Sequence, residues 1–452
     1  MARFTGVGIA ALVLTLLCLT QPQAAETDAG NPVEAGATDL AEVGYLPSYL
    51  SQQAGMGELF GGRTGYLHPF LSLGEYYTDN LFNESDNKED DWITVISPGL
   101  WASFPASNRQ PLQVTTYNSA PGGLEVTRFP MEVRRRFQGY GLYRADITEH
   151  AHFSEEDNVF QRAEGLLNVN FRGGLSLELL DIFQIDHDPY GTGAPENPRQ
   201  LDKFTSNLVQ FMANYRITPK TRVRADVSHY SLEFDNTERN GFRERDDLVA
   251  SLFLFHRVLP KTSALLQYDY INIDYRENIL SDSTEHRFLT GILWDITSKS
   301  RGTIKVGYGL RQVDQGDNRN DLIGEARLDH RFTPKTSAYL QFTRRVEETD
   351  IADTSAVLSH RLLLGYRQRV APRWTAAADL NYTREAYQGE FTSNGETGER
   401  TDDNYGARVG LGYLFRSWLN FGLGYIYLDR NSNFDNFSYT NNTVYLTVTA
   451  AL

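Results

Sequence analysis

From Tyr66 to Leu452 the chain alternates apolar and polar residues in short runs, the period-two pattern of strands with two unlike faces. Near the end the pattern is plain. Leu419, Phe421, Leu423, Tyr425 and Tyr427 share one face, and Asn420, Gly422 and Gly424 the other; Val444, Leu446, Val448, Ala450 and Leu452 repeat it. Two kinds of connection join the runs. One is short and nearly repeated: Thr218-Pro219-Lys220-Thr221, Leu259-Pro260-Lys261-Thr262, Thr333-Pro334-Lys335-Thr336 and Ala371-Pro372-Arg373, with looser copies at Thr297-Ser298-Lys299-Ser300 and Arg416-Ser417. The other is longer and acidic or Asn-rich, as in Asp235 to Asp246 and Gln388 to Asp403. Short turns at one end and long polar loops at the other predict an all-β fold, a transmembrane antiparallel up-and-down β-barrel of the bacterial outer-membrane type.

The predicted strands lie near 66–78, 91–104, 132–149, 160–172, 175–187, 204–216, 222–233, 247–258 and 262–276. They continue near 284–297, 302–313, 322–332, 336–346, 356–370, 374–387, 404–415, 418–429 and 440–452. That makes 18 strands, with 16 as the alternative. An even number leaves both ends of the barrel in the periplasm and all the short turns there too. One connection breaks the rhythm: residues 105–131, containing Tyr117 to Leu124, are long where the register calls for a short turn. Long connections in compact architectures are commonly functional. This one is expected to narrow the periplasmic entrance or meet a periplasmic partner, with Gly122 and Gly123 supplying the bend.

The N-terminus fits a secreted barrel. Arg3 precedes an apolar stretch from Val7 to Leu19, too short to span as a helix, so residues 1–25 read as a signal peptide. Residues 26–65 then form a periplasmic leader and 66–452 the barrel. Cys18, the one cysteine, leaves with the signal peptide, so no disulfide or thiolate metal site is expected. A mean hydropathy of −0.43 is compatible with a membrane wall that alternates lipid-facing and lumen-facing residues. The 25 tyrosines suit interfacial girdles. Trp101, Trp294, Trp374 and Trp418 fall at periplasmic strand ends, where they should form an inner girdle; Tyr76, Tyr230, Tyr275, Tyr387 and Tyr427 fall nearer the outer rim. The net charge of −15 argues against nucleic acid.

Parity separates lumen from lipid. A charge facing lipid near the midplane costs about 2–4 kcal/mol, so charged residues opposite apolar ones face the lumen. This assigns to the lumen Arg162, Glu164 and Arg172; Arg222, Arg224 and Asp226; Glu325, Arg327, Asp329 and Arg331; Arg361, Arg367 and Arg369; and Arg408. Arg327, Arg331, Arg361, Arg367 and Arg369 should form a basic stripe near the periplasmic half, partly neutralised by Glu325 and Asp329. Such a lining could guide hydrated, often anionic, solutes, or pair across strands and hold the wall together. Catalytic signals are weak. His150 and His152 sit near an outer rim with Glu149, Glu155, Glu156 and Asp157, where a solvated rim outweighs a cation site. No phosphate loop, haem-attachment pair or zinc spacing occurs, so no cofactor and no enzyme activity is expected.

Leu71 to Phe82, an acidic-aromatic strand running into Asp79-Asn80, is followed by Asp91 to Leu100, a strand carrying Ser97-Pro98-Gly99. Together these resemble the opening of the Putative beta-barrel porin type 2 family, and the hairpin rhythm carries the resemblance across most of 66–452. It implies an outer-membrane barrel of a Gram-negative bacterium, of a kind often found in exopolysaccharide systems, and it transfers no site residues. The expectation that follows is a channel passing a secreted exopolysaccharide from periplasm to surface. Its partners would be outer-membrane lipid, the exported polysaccharide, a periplasmic export component and the outer-membrane assembly machinery. The rival readings are a general small-solute diffusion porin and a barrel sheathing a partner such as a multihaem cytochrome.

Overall fold

The computed structural model describes residues 65–452 except 108–113, 129–135, 193–198, 278, 298, 315–317, 353 and 394. The expected signal peptide and, save Gly65, the leader lie outside the described residues. The strands are β1 (Gly65–Thr78), β2 (Asp91–Ser107), β3 (Phe137–His150), β4 (Asn158–Asn170), β5 (Leu175–His187), β6 (Lys203–Arg216) and β7 (Thr221–Phe234). Next come β8 (Arg245–Leu259), β9 (Thr262–Tyr275), β10 (Ser283–Thr297), β11 (Ser300–Val313), β12 (Arg319–Thr333), β13 (Thr336–Glu347), β14 (Ala356–Ala371) and β15 (Trp374–Gln388). A two-stranded hairpin, β16 (Phe391–Ser393) and β17 (Glu396–Gly398), decorates one loop, and β18 (Thr401–Arg416), β19 (Leu419–Ser432) and β20 (Tyr439–Ala451) complete the wall.

Eighteen of these strands form one antiparallel sheet in chain order. It closes where β1 pairs with β20, from Phe70 opposite Ala451 to Thr78 opposite Thr443. Every predicted strand is present, and the count is 18 rather than 16. Apart from 108–136, connections at one end have two to four residues, whereas those at the other have five to fifteen. The short turns hold their shape through threonine. Thr218 Oγ1 accepts hydrogen bonds from the backbone N–H groups of Lys220 (3.2 Å) and Thr221 (2.9 Å), and Thr333 Oγ1 accepts from Lys335 N–H (3.1 Å). Proline at the next position presets the backbone, so Thr-Pro-Lys-Thr is a turn with a mechanism.

The outer face is apolar, as lipid requires. Leu73, Leu252, Leu266, Val306, Leu322, Leu423 and Leu446 are all exposed there. Trp374 and Trp418 are exposed at the short-turn end, and Trp294 lies there too, its ring against Gly302. At the long-loop end Trp92 packs on Tyr77 with ring centroids 5.1 Å apart, and Tyr382 packs on Tyr405 at 5.2 Å.

The expected aromatic girdles need correcting. Trp101 is fully buried on the lumen side, its ring 5.0 Å from that of His68. Tyr76, Tyr230, Tyr275 and Tyr387 sit toward the long-loop end as expected, but they too are buried on the inner face. Inward apolar positions here are not exceptional: Ile93, Leu166, Leu180, Leu208 and Leu232 also point inward and are buried. The inner wall therefore has apolar stretches of its own, and something must cover them.

Candidate functional site: a segment inside the lumen

Part of that cover is the chain between β2 and β3. It leaves and rejoins the wall at the short-turn end, and its described part, residues 114–128, lies inside the barrel. The tip is a compact turn: Ala120 N–H donates to Tyr117 O (3.1 Å), Gly123 N–H to Ala120 O (2.8 Å) and Tyr117 N–H to Gly123 O (3.0 Å). Gly122 and Gly123 adopt φ of 73° and 72°, the left-handed region that glycine enters without strain. A Cβ on Gly122 would also stand 2.4 Å from Val249 Cγ2, and one on Gly123 would stand 2.4 Å from the Tyr230 ring. Backbone conformation and wall contact both demand glycine there.

The tip is moored to the long-loop half of the wall. Gly122 N–H donates to Asp247 Oδ2 (2.8 Å), and Arg245 donates to the carbonyls of Asn118 (2.5 Å) and Ala120 (3.4 Å). Asn118 bridges Asp188 (2.9 Å) and the Tyr230 hydroxyl (2.8 Å). Ser119 donates to Glu347 (3.0 Å), and its carbonyl accepts from Glu348 N–H (2.8 Å). Asp188 and Glu348 immediately follow the long-loop ends of β5 and β13, and Asp247 is the third residue of β8. The segment thus climbs most of the lumen and does not stop at the entrance, where the register placed it.

Its descending limb is equally tied. Arg345 donates to the carbonyls of Leu124 (3.0 Å) and Glu125 (2.5 Å), and Glu125 takes Arg361 at 3.2 Å and Thr343 at 3.0 Å. Lys305 reaches Thr127 (2.6 Å) and Glu325 (2.7 Å); Arg128 reaches Glu178 (2.6 Å) and Gln210 (2.9 Å). Arg162 donates to the Val114 carbonyl on the ascending limb. Val114 and Leu124 join a buried apolar cluster with Trp101, Tyr140, Leu166, Leu180 and Leu208. Each such side chain taken from water contributes about 1.5–3 kcal/mol. Between segment and wall remains a cavity of ≈110 Å³, room for a few waters, lined among others by Arg224, Asp226, Asp269, Arg287 and Lys305.

Many of the wall's charges follow one rule. Residues two apart on a strand share a face, and Arg pairs with a carboxylate two positions away in Arg144–Asp146, Arg162–Glu164, Arg224–Asp226, Arg245–Asp247, Arg327–Asp329, Arg345–Glu347 and Arg400–Asp402. The Arg287–Glu285 pair runs in the opposite order. Other pairs reach across strands, as Arg408 does to Asp379 at 2.6 Å and Lys305 to Glu325 at 2.7 Å. In the loop after β13, burial raises the pKa of the Glu348 carboxyl, but the Arg311 guanidinium at 2.8 Å and the Arg245 charge outweigh it and leave it below the ordinary glutamate value.

The predicted lumen residues fall into three groups. Arg162, Glu164, Arg224, Asp226, Glu325, Arg361 and Arg408 are on the inner face, buried or half-buried, with most of them gathered around the segment. Arg222, Arg327, Asp329, Arg331, Arg367 and Arg369 share that face nearer the short turns; Arg222 lies 4.4 Å over the Phe255 ring. Arg172 is a correction: β4 ends at Asn170, and Arg172 sits exposed in the following turn. The basic stripe is corrected too. Arg361 lies in the long-loop half against Glu125, and β13 separates β12 from β14, so Arg327 meets Gln341 (2.9 Å) and not the arginines of β14. Sequence reasoning overlooked Arg245, Asp247, Arg345 and Glu347, although the spacing Arg-x-Asp/Glu was available in all of them. Among the described residues no group of three or more His, Cys, Asp or Glu could hold a metal.

An 18-strand barrel with short turns at one end, an apolar outer belt and a polar, partly filled lumen is an outer-membrane porin architecture. Consistent with this, residues 58–452 match the family model described as "Putative beta-barrel porin 2", and the chain belongs to that family. It is an outer-membrane β-barrel of a Gram-negative bacterium. No curated protein matches the chain. Among solved structures it is similar to Pseudomonas aeruginosa OccK2 (OpdF), at 9% identity and TM-score 0.44, covering 86% of this chain and 99% of that one. It is also similar to P. aeruginosa OccK11 (OpdR), at 12% identity and TM-score 0.42, covering 87% and 100%. A third is the P. aeruginosa siderophore receptor PirA, at 8% identity and TM-score 0.41, covering 86% and 80%.

Proposed function

We propose that this protein is a passive, constricted channel for small hydrated solutes across the outer membrane, and not an enzyme. The observation that supports it is the inserted segment 114–128, which crosses a polar lumen and is bonded to strands from β4 to β14. A wall of paired charges around a cavity of ≈110 Å³ suits polar solutes, and a seated segment limits their size. Passage of an exopolysaccharide, implied by the family resemblance, requires more: the segment would have to leave its moorings to admit a polymer chain. Deleting Asn118 to Leu124 tests the reading in planar bilayers, because no strand is lost and the barrel should still assemble. Single-channel conductance should rise severalfold, and larger neutral sugars should begin to pass. Unchanged conductance in a folded barrel would show that the segment is not the constriction. Export of polymer by the deletion strain alone, and not by the parent, would support the segment as a gate.

A further inference from the structure

The two rims of the barrel differ sharply in charge. Residues 214–225, 253–268, 330–346 and 363–378, which flank four of the short turns, contain no Asp or Glu. They carry Lys220, Lys261 and Lys335 at the turn tips, all exposed, and Arg216, Arg222, Arg257, Arg331, Arg367 and Arg369 on the strand ends. At the opposite rim, residues 79–90 hold Asp79, Glu84, Asp86, Glu89 and Asp90 against Lys88 alone, and 151–157 hold Glu155, Glu156 and Asp157 with no Lys or Arg.

Which way the arginines face decides what they serve. On each strand end the neighbouring residue is apolar and exposed on the lipid side: Tyr215 beside Arg216, Val258 beside Arg257, Phe332 beside Arg331, Val370 beside Arg369. Alternation then puts the arginines on the inner face, at the mouth of the lumen and away from lipid headgroups. Guanidinium groups match carboxylates in a fork geometry, and an arc of them from β6 to β14 suits a ligand with several spaced negative charges more than a lone anion.

We infer that the periplasmic mouth is a one-sided capture site for carboxylate-bearing oligoanions, which it draws toward the lumen from the periplasm while the acidic outer rim repels them. The inference rests on the channel reading above and names the class of solute that reaches it. The full protein would be placed in neutral-lipid planar bilayers, its orientation read by avidin on a biotinylated Thr397→Cys in the β16–β17 hairpin. A short oligogalacturonate, or a neutral maltodextrin of equal length, would then be added from one side at a time. Electrostatic focusing raises on-rates by 10- to 10³-fold, so block by the oligoanion should begin about tenfold faster or more from the periplasmic side. That advantage should shrink as salt rises and collapse in an Arg331→Gln, Arg367→Gln, Arg369→Gln variant; the maltodextrin should show no preference. Equal rates from both sides, or a sidedness untouched by the triple variant, would overturn the inference while an ion-conducting barrel keeps the channel reading. A barrel that conducts no ions would overturn the channel reading itself. If the triple variant folds poorly, the salt dependence of the wild type decides the question alone.

Discussion

The upper lumen and the short-turn mouth use the same residue, arginine, in opposite ways. Around the inserted segment each arginine has a carboxylate two residues along its own strand, or one across the barrel, and the pair is buried: Arg245 is 2% exposed and Asp247 0%. At the mouth the positions two away from Arg216, Arg257, Arg367 and Arg369 are Asn, Phe, Thr, Leu, Gly, Ala or another Arg. The first arrangement spends its charge internally and holds backbone carbonyls of the segment in place. The second leaves positive potential facing water. One residue of context, at i+2 or i−2, separates an arginine paired along its own strand from one with no carboxylate at that spacing.

The comparison can be broken most forcefully at Arg245. Replacing it with Met leaves Asp247 buried without its cation and frees the carbonyls of Asn118 and Ala120; breaking a buried pair from one side costs about 3–5 kcal/mol. The expected outcome is a segment cut by protease in a barrel that still migrates as a folded species on gels. A segment that stays protected would mean that the other moorings suffice. Nearly as large is the contrast between two tryptophans. Trp101→Ala empties a buried site and should cost about 3–5 kcal/mol in urea unfolding from vesicles, whereas Trp418→Ala, 45% exposed to lipid, should cost far less. Similar losses for both would contradict the inward placement of Trp101.

Gly122→Ala sharpens the same contrast within the segment. The left-handed φ alone costs about 1–3 kcal/mol, and the methyl group meets Val249, so conductance should become noisy as the tip seats imperfectly. Gly395→Ala also carries a positive φ but meets nothing within 4 Å, and should leave conductance alone. At the mouth, Arg331→Glu with Arg367→Glu and Arg369→Glu should move ion selectivity toward cations while stability changes by only about 0.5 kcal/mol. If selectivity is unmoved in a folded barrel, those arginines do not face the pore. The smallest effect concerns pH. Glu348 has a lowered folded-state pKa, so its contribution is fully present above the ordinary glutamate value of about 4.3 and fades only as pH falls through the lower folded value. Conductance should therefore hold steady from pH 8 to 5, and opening within that range would point to another titrating group.

The wall was legible in the sequence because its two signals are local. Thr-Pro-Lys-Thr fixes a turn by its own side chain, and alternation reports which face meets lipid. The segment was legible as an anomaly of length, and Gly122 and Gly123 as its bend. Its height in the barrel was not, since hydrogen bonds such as Gly122 to Asp247 join residues 125 positions apart and leave no periodic trace. The same gap explains the misplaced aromatics. Apolar side chains point to lipid only while the lumen is wet; once a segment fills part of it, Trp101 and Tyr230 find an apolar home inside. Arg172 failed for a simpler reason, as parity means nothing two residues past a strand's end.

The seam between β1 and β20 has a consequence in time. Phe70 pairs with Ala451, and Leu452 N–H donates to Pro69 O at 3.0 Å, so closure joins residues nearly 400 positions apart. Until β20 docks on β1, the assembling sheet keeps two unsatisfied edges, and an open edge is a template for pairing with the wrong chain. Contacts so distant in sequence form slowly. For that interval the assembling chain is a hazard to its neighbours, and its survival depends on how long it can be kept from meeting another copy of itself.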